Sequence, residues 1–326
     1  MKNNIRTIAG ILISIVFIYL AAKDVNVDQL LSGIRNSSPL FLVLGTVVFI
    51  IAYLLKAQRW LLILKPHDKR YSINNTYPPF FIGFAANNFL PLRIGELVRI
   101  YLFARSTESK ISFSFSSVFL DRILDGLVLL CLLGFTSFFV IMIDWIQSVI
   151  VVAAIIFVGG ISISIFIGRS GNVRLGNFIK RDSSLIRKID MELGNVRDAF
   201  KIFNNWKRLL IVLLFSFAVW LFEGLMYLLF AIGLGFDISF LHSVFTMCIV
   251  NFGILVPASP GYVGTFEFFC IKSLGLFGIT NDQALTFAIL IHFSQFIALT
   301  IMGIISINYM GINWKNVKAI SKKRIS

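Results

Sequence analysis

Four places in the chain put charged or backbone-breaking residues among apolar ones at spacings that chemistry can use. In the first, Asn87 and Asn88 precede Pro91-Leu92-Arg93-Ile94-Gly95-Glu96, which turns the chain and opens a helix bearing Arg99. Arg93, Glu96 and Arg99 recur every three residues and are expected on one helix face. A helix start offers free amides and a positive dipole end, and arginines add bidentate contacts, so this pattern suits an anion such as a phosphate. The alternative is an ion-pair cluster at a membrane interface, with Glu96 holding an arginine.

The second place is Phe119-Leu120-Asp121-Arg122-Ile123-Leu124-Asp125, deep in an otherwise apolar helix. Asp121 and Asp125 lie one turn apart, and Arg122 can reach Asp125 or, across the bundle, Glu96. Charges inside an apolar span mark either a functional site or a buried structural ion-pair network. The third is Glu223, near the centre of another apolar run, where a carboxylate needs a partner or a proton. A proton-coupled step and a hydrogen-bonded packing role both fit it.

The fourth runs from Asn251 through Pro257, Ser259, Pro260, Gly261 and Gly264 to Glu267. Proline removes backbone donors and glycine permits close approach, so this density of breaks inside an apolar region reads as a deliberate interruption whose following helix start can face a polar group. The alternative is an interfacial loop. His67, His242 and His292 have no ligand-like companions in sequence, and no metal motif, nucleotide loop, Walker lysine or nucleophile elbow is present. No cofactor is expected.

The elements that carry these residues follow from composition. Of 326 residues, 57% are hydrophobic and 14% charged, against about 25% charged in soluble domains, and mean hydropathy is +0.86. This excludes a water-soluble fold and identifies an all-α integral membrane protein. Spanning helices are expected near Ile5–Ala22, Pro39–Lys56, Ser112–Ile143, Ser148–Gly168, Leu209–Gly233 and Asp282–Ile307. The first, though it resembles a signal peptide, lacks a cleavage site and reads as retained. Tyr77–Pro91 and Leu241–Pro257 are short, contain asparagines, end at proline, and are each followed by a second short helix. Irregular backbone at membrane depth must be buried in protein or line a cavity, which makes them two re-entrant helical hairpins.

The net charge of +14 points to orientation rather than nucleic acid, because Lys and Arg cluster in loops: Arg59, Lys65, Lys69 and Arg70; the stretch Arg169–Arg208; and the tail from Lys315 to Arg324. These are expected in the cytoplasm, as are both termini, in a multi-pass cell-membrane protein. The chain then divides within one transmembrane domain into halves of identical plan, residues 1–143 and 148–326, inserted in opposite senses. Residues 169–208 carry Ile186, Ile189, Leu193, Val196, Phe200 and Phe203 at helical spacing among basic residues, which reads as an amphipathic helix on the inner leaflet. Cys131, Cys248 and Cys270 read as packing residues.

The motifs Arg59-Trp60, Pro91-x-Arg93-x-Gly95-Glu96-x-x-Arg99, Asp121-Arg122-x-x-Asp125 and Pro257-x-Ser259-Pro260-Gly261 through Gly264 to Glu267 together resemble the flippase-like family named for the lysylphosphatidylglycerol synthase transmembrane domain, the membrane half of bacterial multiple peptide resistance factors. The resemblance covers nearly the whole chain. It departs from the family in carrying Asp121 where Glu is expected, and Tyr262-Val263 where the run is more glycine-rich. It implies movement between leaflets of a phospholipid, aminoacyl-phospholipid or polyprenyl-phosphate-linked lipid. Arg93, Arg99 and Arg122 would receive the phosphate, while Glu96, Asp121, Asp125 and Glu267 would position them or bind a cationic headgroup. No aminoacyl-transferase domain follows in this sequence, so synthesis of aminoacyl-lipid by this chain is not expected. The rival reading is a membrane enzyme, or a subunit of a lipid-headgroup-modifying complex. Membrane lipids and a lipid-modifying enzyme are the expected partners, and the sequence leaves the oligomeric state open.

Overall fold

The structure, a computed structural model, describes residues 16–21, 26–68, 70–90, 93–140, 144–169, 194–195, 198–255, 260–314 and 317. Pro91, Pro257, Ser259, most of the first expected span and the amphipathic positions Ile186 to Val196 lie outside the described residues. Every regular element among those described is helical. After a helical stretch at 16–21 come α1 (Val27–Asn36), α2 (Pro39–Leu64), α3 (Ile73–Phe89), α4 (Gly95–Thr107), α5 (Ile111–Thr136), α6 (Asp144–Arg169), α7 (Trp206–Gly233), α8 (Phe240–Gly253), α9 (Thr265–Leu274) and α10 (Asn281–Tyr309).

Two boundaries differ from expectation in ways that matter. The stretch between the first two expected spans, which holds Asp28 and Arg35, forms α1, whose start is capped by the Asn26 side chain accepting from the Asp28 amide at 2.9 Å. Helix α2 does not stop at Lys56. It begins at Pro39, a favourable first-turn position for proline, and continues to Leu64 because Ala57-Gln58-Arg59-Trp60-Leu61-Leu62-Ile63-Leu64 contains no breaker. Arg59 therefore lies inside a helix rather than in a loop.

Small residues set the close approaches. Helix α2 runs antiparallel to α7: Gly45 lies against Phe230 and Gly233 against Phe41, with the Ser38 amide donating to the Gly233 carbonyl at 2.7 Å. Helices α3 and α4 form a hairpin in which Gly83 faces Gly95 and Arg99, and α3 lies along α10, where Gly303 meets Ala85. Helices α8 and α9 form a second hairpin, with Gly253 against Phe269, and α8 packs on α5. Helix α4 also packs on α5, and α9 on α10.

The outside of the bundle is apolar. Val43, Val47, Ile51 and Leu54 on α2, Leu210, Leu214, Phe217 and Leu221 on α7, and Ile297, Ile301, Ile304 and Ile305 on α10 are all exposed. Stripes of this extent are untenable in water and natural against acyl chains. By length and composition α2, α7 and α10 can each cross a membrane, and 26 residues of α2 span about 39 Å at about 1.5 Å per residue, more than the roughly 30 Å hydrocarbon core. The chain is a helical, multi-pass membrane protein.

The first hairpin depends on Gly95. A Cβ there would collide with the backbone carbonyl of Gly83 and with the Asn87 side chain, whereas a Cβ on Gly134 in α5 meets nothing. Gly95→Ala is expected to destabilise the detergent-solubilised protein by about 1–3 kcal/mol and Gly134→Ala not at all, read as thermal midpoints by fluorescence-detected gel filtration. Equal midpoints would contradict this packing.

Candidate functional site

Lys56 and Arg59 sit one turn apart on α2 and point into the bundle. Arg59 is 0% exposed. Its Nη2 donates to Asp121 Oδ1 at 2.6 Å and its Nε to the same oxygen at 3.1 Å, while Nη1 donates to Asp125 Oδ1 at 2.8 Å and to the Ser216 hydroxyl at 3.2 Å. The other Asp121 oxygen accepts from both Nη atoms of Arg99 at 3.0 Å. The other Asp125 oxygen lies 3.3 Å from Lys56 Nζ and 3.3 Å from Arg122 Nη1. Arg122 also reaches Glu96, with Nε 3.0 Å from Oε1. Four cations and three carboxylates from α2, α4 and α5 thus form one connected network, with Ser216 of α7 closing it.

Aromatic faces surround the cations. Arg99 stacks over Trp60 at 3.8 Å and Lys56 over Trp220 at 4.1 Å, with Arg122 4.9 Å from the centre of Phe84. Such contacts offset part of the cost of removing a cation from water.

Beside the network lies a cavity of about 210 Å³, with Lys56, Asn87, Asn88, Arg93, Glu96, Arg122, Asp125, Glu223 and Asn251 in its wall and Phe84, Leu129, Phe157 and Leu299 among its apolar lining. Several polar atoms at this wall are buried without a hydrogen-bond partner: Glu96 Oε2, Arg122 Nε and Nη2, and Glu223 Oε2. The Arg122–Glu96 ion pair is close but poorly aligned for hydrogen bonding. Buried polar atoms are normally satisfied, so unspent donors and acceptors at one cavity mark it as receptive to a polar group of mixed charge.

The tips of the two hairpins meet at this cavity. Arg93 Nη2 donates to the Ile254 carbonyl at 3.2 Å, and its guanidinium lies 5.4 Å from the centre of the Tyr262 ring. Arg93 (φ 55°) and Tyr262 (φ 61°) both hold left-handed backbone, which costs energy for residues with a Cβ and gathers at functional sites.

The sequence-level candidates separate into distinct places. Glu96, Arg122 and Asp125 come together at the cavity. Arg93 does not share a helix face with Arg99, because it precedes the start of α4 in a left-handed turn; Arg99 points away from the cavity, where Asp121 holds it. Asp121, fully buried, is likewise structural in placement. The start of α4 is not free to bind an anion through Gly95, whose amide donates to Asn87 Oδ1 at 2.8 Å. Asn88 ties α3 to α10, donating to the Phe296 carbonyl and Thr300 hydroxyl at 3.0 Å each. Glu223 accepts from Asn251 at 3.2 Å. In the second hairpin, Pro260 and Gly261 lie in a 3-10 turn, and Glu267 caps its own helix, its Oε2 accepting from the Gly264 amide at 2.6 Å. Its other oxygen lies 2.6 Å from His292 Nδ1, so His292 has a companion after all.

The sequence reading did not place Lys56, Arg59 or His292 at the site, although Arg59 stood in the Arg59-Trp60 motif. The signal for the first two was the absence of any breaker before Leu64; for His292 it was the pairing of His292 with Gln295 at i,i+3 inside an apolar helix. Among the described residues no cluster of His, Cys, Asp and Glu has the makings of a metal site.

Residues 7–303 match the lysylphosphatidylglycerol synthase transmembrane region. The chain belongs to that family. Within reach of this family it is 22% identical to a UPF0104 membrane protein of Methanothermobacter thermautotrophicus, over 93% of this chain and 95% of the relative. It is 21% identical to a UPF0104 membrane protein of Methanocaldococcus jannaschii, over 91% of this chain and 92% of that one. It is also 22% identical to the glycosyltransferase AglD of Haloferax volcanii, covering 93% of this chain but 54% of AglD. No solved structure matches the chain.

The network and the cavity rim should respond differently to substitution. Removing Arg59 leaves two buried carboxylates short of a cation, so Arg59→Gln is expected to cost about 3–5 kcal/mol and to abolish recovery of monodisperse protein. Arg93→Gln gives up one charged, part-buried bond to a carbonyl, about 1.5–3 kcal/mol at most, and is expected to leave a folded protein. Comparable thermal loss in both would contradict this division.

Proposed function

We propose that this protein is a flippase-like lipid transporter, moving a phosphate-bearing lipid between leaflets with the headgroup received in the cavity at the hairpin tips. The observation that carries this reading is the set of unpartnered Arg122, Glu96 and Glu223 atoms at a polar cavity enclosed by an apolar-sided bundle. Arg122 and Arg93 offer donors to phosphate, and Glu96 and Glu223 offer acceptors to a cationic group or a hydroxyl. Asp125 and Asp121 position the cations. The acyl chains stay in the bilayer against the exposed apolar stripes.

The topology we infer is six spanning helices and two re-entrant hairpins, in halves 1–143 and 148–326 of opposite sense, with the termini and residues 169–208 in the cytoplasm. The helix contacts support it. Exchange of the halves maps the α2–α7 contact onto itself, α3–α4 onto α8–α9, α4–α5 onto α9–α10, and α3–α10 onto α8–α5. Helices α3, α4, α8 and α9, at 17, 13, 14 and 10 residues, are all shorter than the roughly 20 residues a crossing needs. In both hairpins a left-handed non-glycine residue stands at the tip. An inverted repeat with its site between broken helices is the arrangement that permits alternating access.

A second reading has a specific observation behind it. The chain aligns with about half of a protein named as a glycosyltransferase, and its family takes its name from a synthase. On that reading the protein is a membrane enzyme acting on lipid headgroups, or the membrane subunit of a lipid-headgroup-modifying complex.

Reconstitution in proteoliposomes with labelled anionic, zwitterionic, aminoacylated and polyprenyl-phosphate lipids distinguishes the two. The transporter reading expects transbilayer movement of at least one lipid. Arg122→Gln and Glu96→Gln, each losing a charged hydrogen bond worth about 1.5–3 kcal/mol, are expected to slow it about tenfold or more, and Arg70→Ala, at an exposed position, to leave it unchanged. Chemical conversion of a lipid without movement would install the second reading.

A further inference from the structure

One polar constellation in the bundle is unused by the headgroup site and does not fit the ordinary charge states of its members. His292 on α10 stands between two acceptors. Its Nε2 lies 2.7 Å from the Gly261 carbonyl oxygen and its Nδ1 lies 2.6 Å from Glu267 Oε1. A carbonyl accepts only, so Nε2 carries a hydrogen. A neutral imidazole with its hydrogen on Nε2 presents a lone pair at Nδ1, and an ionised carboxylate presents only lone pairs. At 2.6 Å the two would repel. Both contacts exist together only if one further proton lies between Nδ1 and Oε1, whether it is drawn on the ring or on the carboxyl.

What this proton holds in place is the tip of the second hairpin. Gly261 (φ 69°), Tyr262 (φ 61°) and Gly264 (φ 91°) are left-handed. The Gly261 carbonyl is pinned by His292, and the Gly264 amide by the other oxygen of Glu267 at 2.6 Å. Between these pins sits Tyr262, the one member of the three that carries a Cβ and so strains in this conformation, and its ring meets Arg93 of the first hairpin. Phe266 stacks on the imidazole at 4.3 Å and fixes the ring's plane.

We propose that Glu267 and His292 together form a proton-binding site, and that the bound proton latches the second hairpin tip against the first across the cavity. Removal of the proton leaves a carboxylate and an imidazole lone pair face to face. One of the two pins then opens, and the Gly261–Gly264 turn, relieved of its constraint, relaxes away from Arg93. The proton enters and leaves by way of His292, which lines the cavity and is 13% exposed at its side chain. As a coupling device this rests on the transporter reading; as a proton-controlled contact between the tips it does not.

The other ionisable groups facing this cavity are Lys56, Arg93, Glu96, Arg122, Asp125 and Glu223, with Tyr53 and Tyr262 beside them. Their formal charges balance, three against three. The polar side chains that helices α3 and α8 contribute there are the amides of Asn87, Asn88 and Asn251. On α9 itself, buried Cys270 lies one turn beyond Glu267.

Glu267→Gln makes a decisive variant. Its amide nitrogen donates to Nδ1, its amide oxygen accepts from the Gly264 amide, and neutral His292 still donates to Gly261, so every bond of the latched state persists with no proton to lose. His292→Phe removes both hydrogen bonds of the ring, the pin on Gly261 and the contact with Glu267, while keeping an aromatic to stack on Phe266.

The test is hydrogen–deuterium exchange of the full chain in lipid nanodiscs, from about pH 5 to about pH 9, a range that brackets imidazole titration, with rates corrected for intrinsic pH dependence. In the wild type, protection of the 260–264 peptide is expected to fall about tenfold or more at alkaline pH, the equivalent of one lost charged hydrogen bond. Glu267→Gln is expected to stay protected throughout, and His292→Phe to be unprotected throughout. Equal pH responses in wild type and Glu267→Gln overturn the latch. Proteoliposomes under an imposed pH gradient supply the second arm: gradient-driven lipid movement in the wild type and its loss in Glu267→Gln are expected. No lipid movement in the wild type overturns the transporter reading alone, because exchange is read without it.

Discussion

A guanidinium inside an apolar bundle has to bring its counter-charges with it, and the placement of Arg59 organises everything else in this protein. Stripped of water, an unpaired charge costs several kcal/mol. Arg59 meets the cost with two aspartates from successive turns of α5 and a hydroxyl from α7, holding three helices in one register. Those aspartates have oxygens left over, which in turn require Arg99, Lys56 and Arg122. The chain of compensation ends at Glu96 and Arg122, where partners run out and a cavity begins. The edge of the structural network is thereby the proposed site: its last members are held by the rest yet retain unspent hydrogen bonds.

The hairpins depend on the same constraint. Four helices shorter than the usual roughly 20-residue crossing have polar ends that lipid cannot satisfy if they lie at membrane depth. Here those ends are turned toward one another, with Asn87 closing the start of α4 and Glu267 closing the start of α9. The strain at Arg93 and Tyr262 is concentrated where the tips touch. Two strained turns are thus in mutual contact, each held by a small number of polar bonds, and they are the element that the proposed latch would release.

Much of this is legible in the sequence, for identifiable reasons. Asp121, Arg122 and Asp125 stand out because charges are rare in an apolar helix, and the two broken segments stand out because proline and asparagine are rare there. The family could be read from the same motifs. What the sequence does not disclose is which way each charge points. Arg93, Glu96 and Arg99 follow helical spacing, but the helix starts only at Gly95, so the first lies at a tip and the last behind a tryptophan. Lys56 and Arg59 look like the basic flank that usually ends a span, and only the uninterrupted run to Leu64 argues otherwise. The Glu267–His292 contact joins residues 25 apart through a turn whose geometry no periodicity encodes.

The central claim, that the cavity bounded by Arg93, Glu96 and Arg122 receives a phosphate-bearing headgroup, is tested most directly by photocrosslinking. A phospholipid carrying a diazirine on its headgroup would be incorporated with the protein in nanodiscs, irradiated, and the adducts mapped by mass spectrometry. The account predicts adducts concentrated in the two hairpin tips and around Arg122, and suppressed in Arg122→Gln. Adducts confined to the ends of the spanning helices, and unchanged by that substitution, would contradict it.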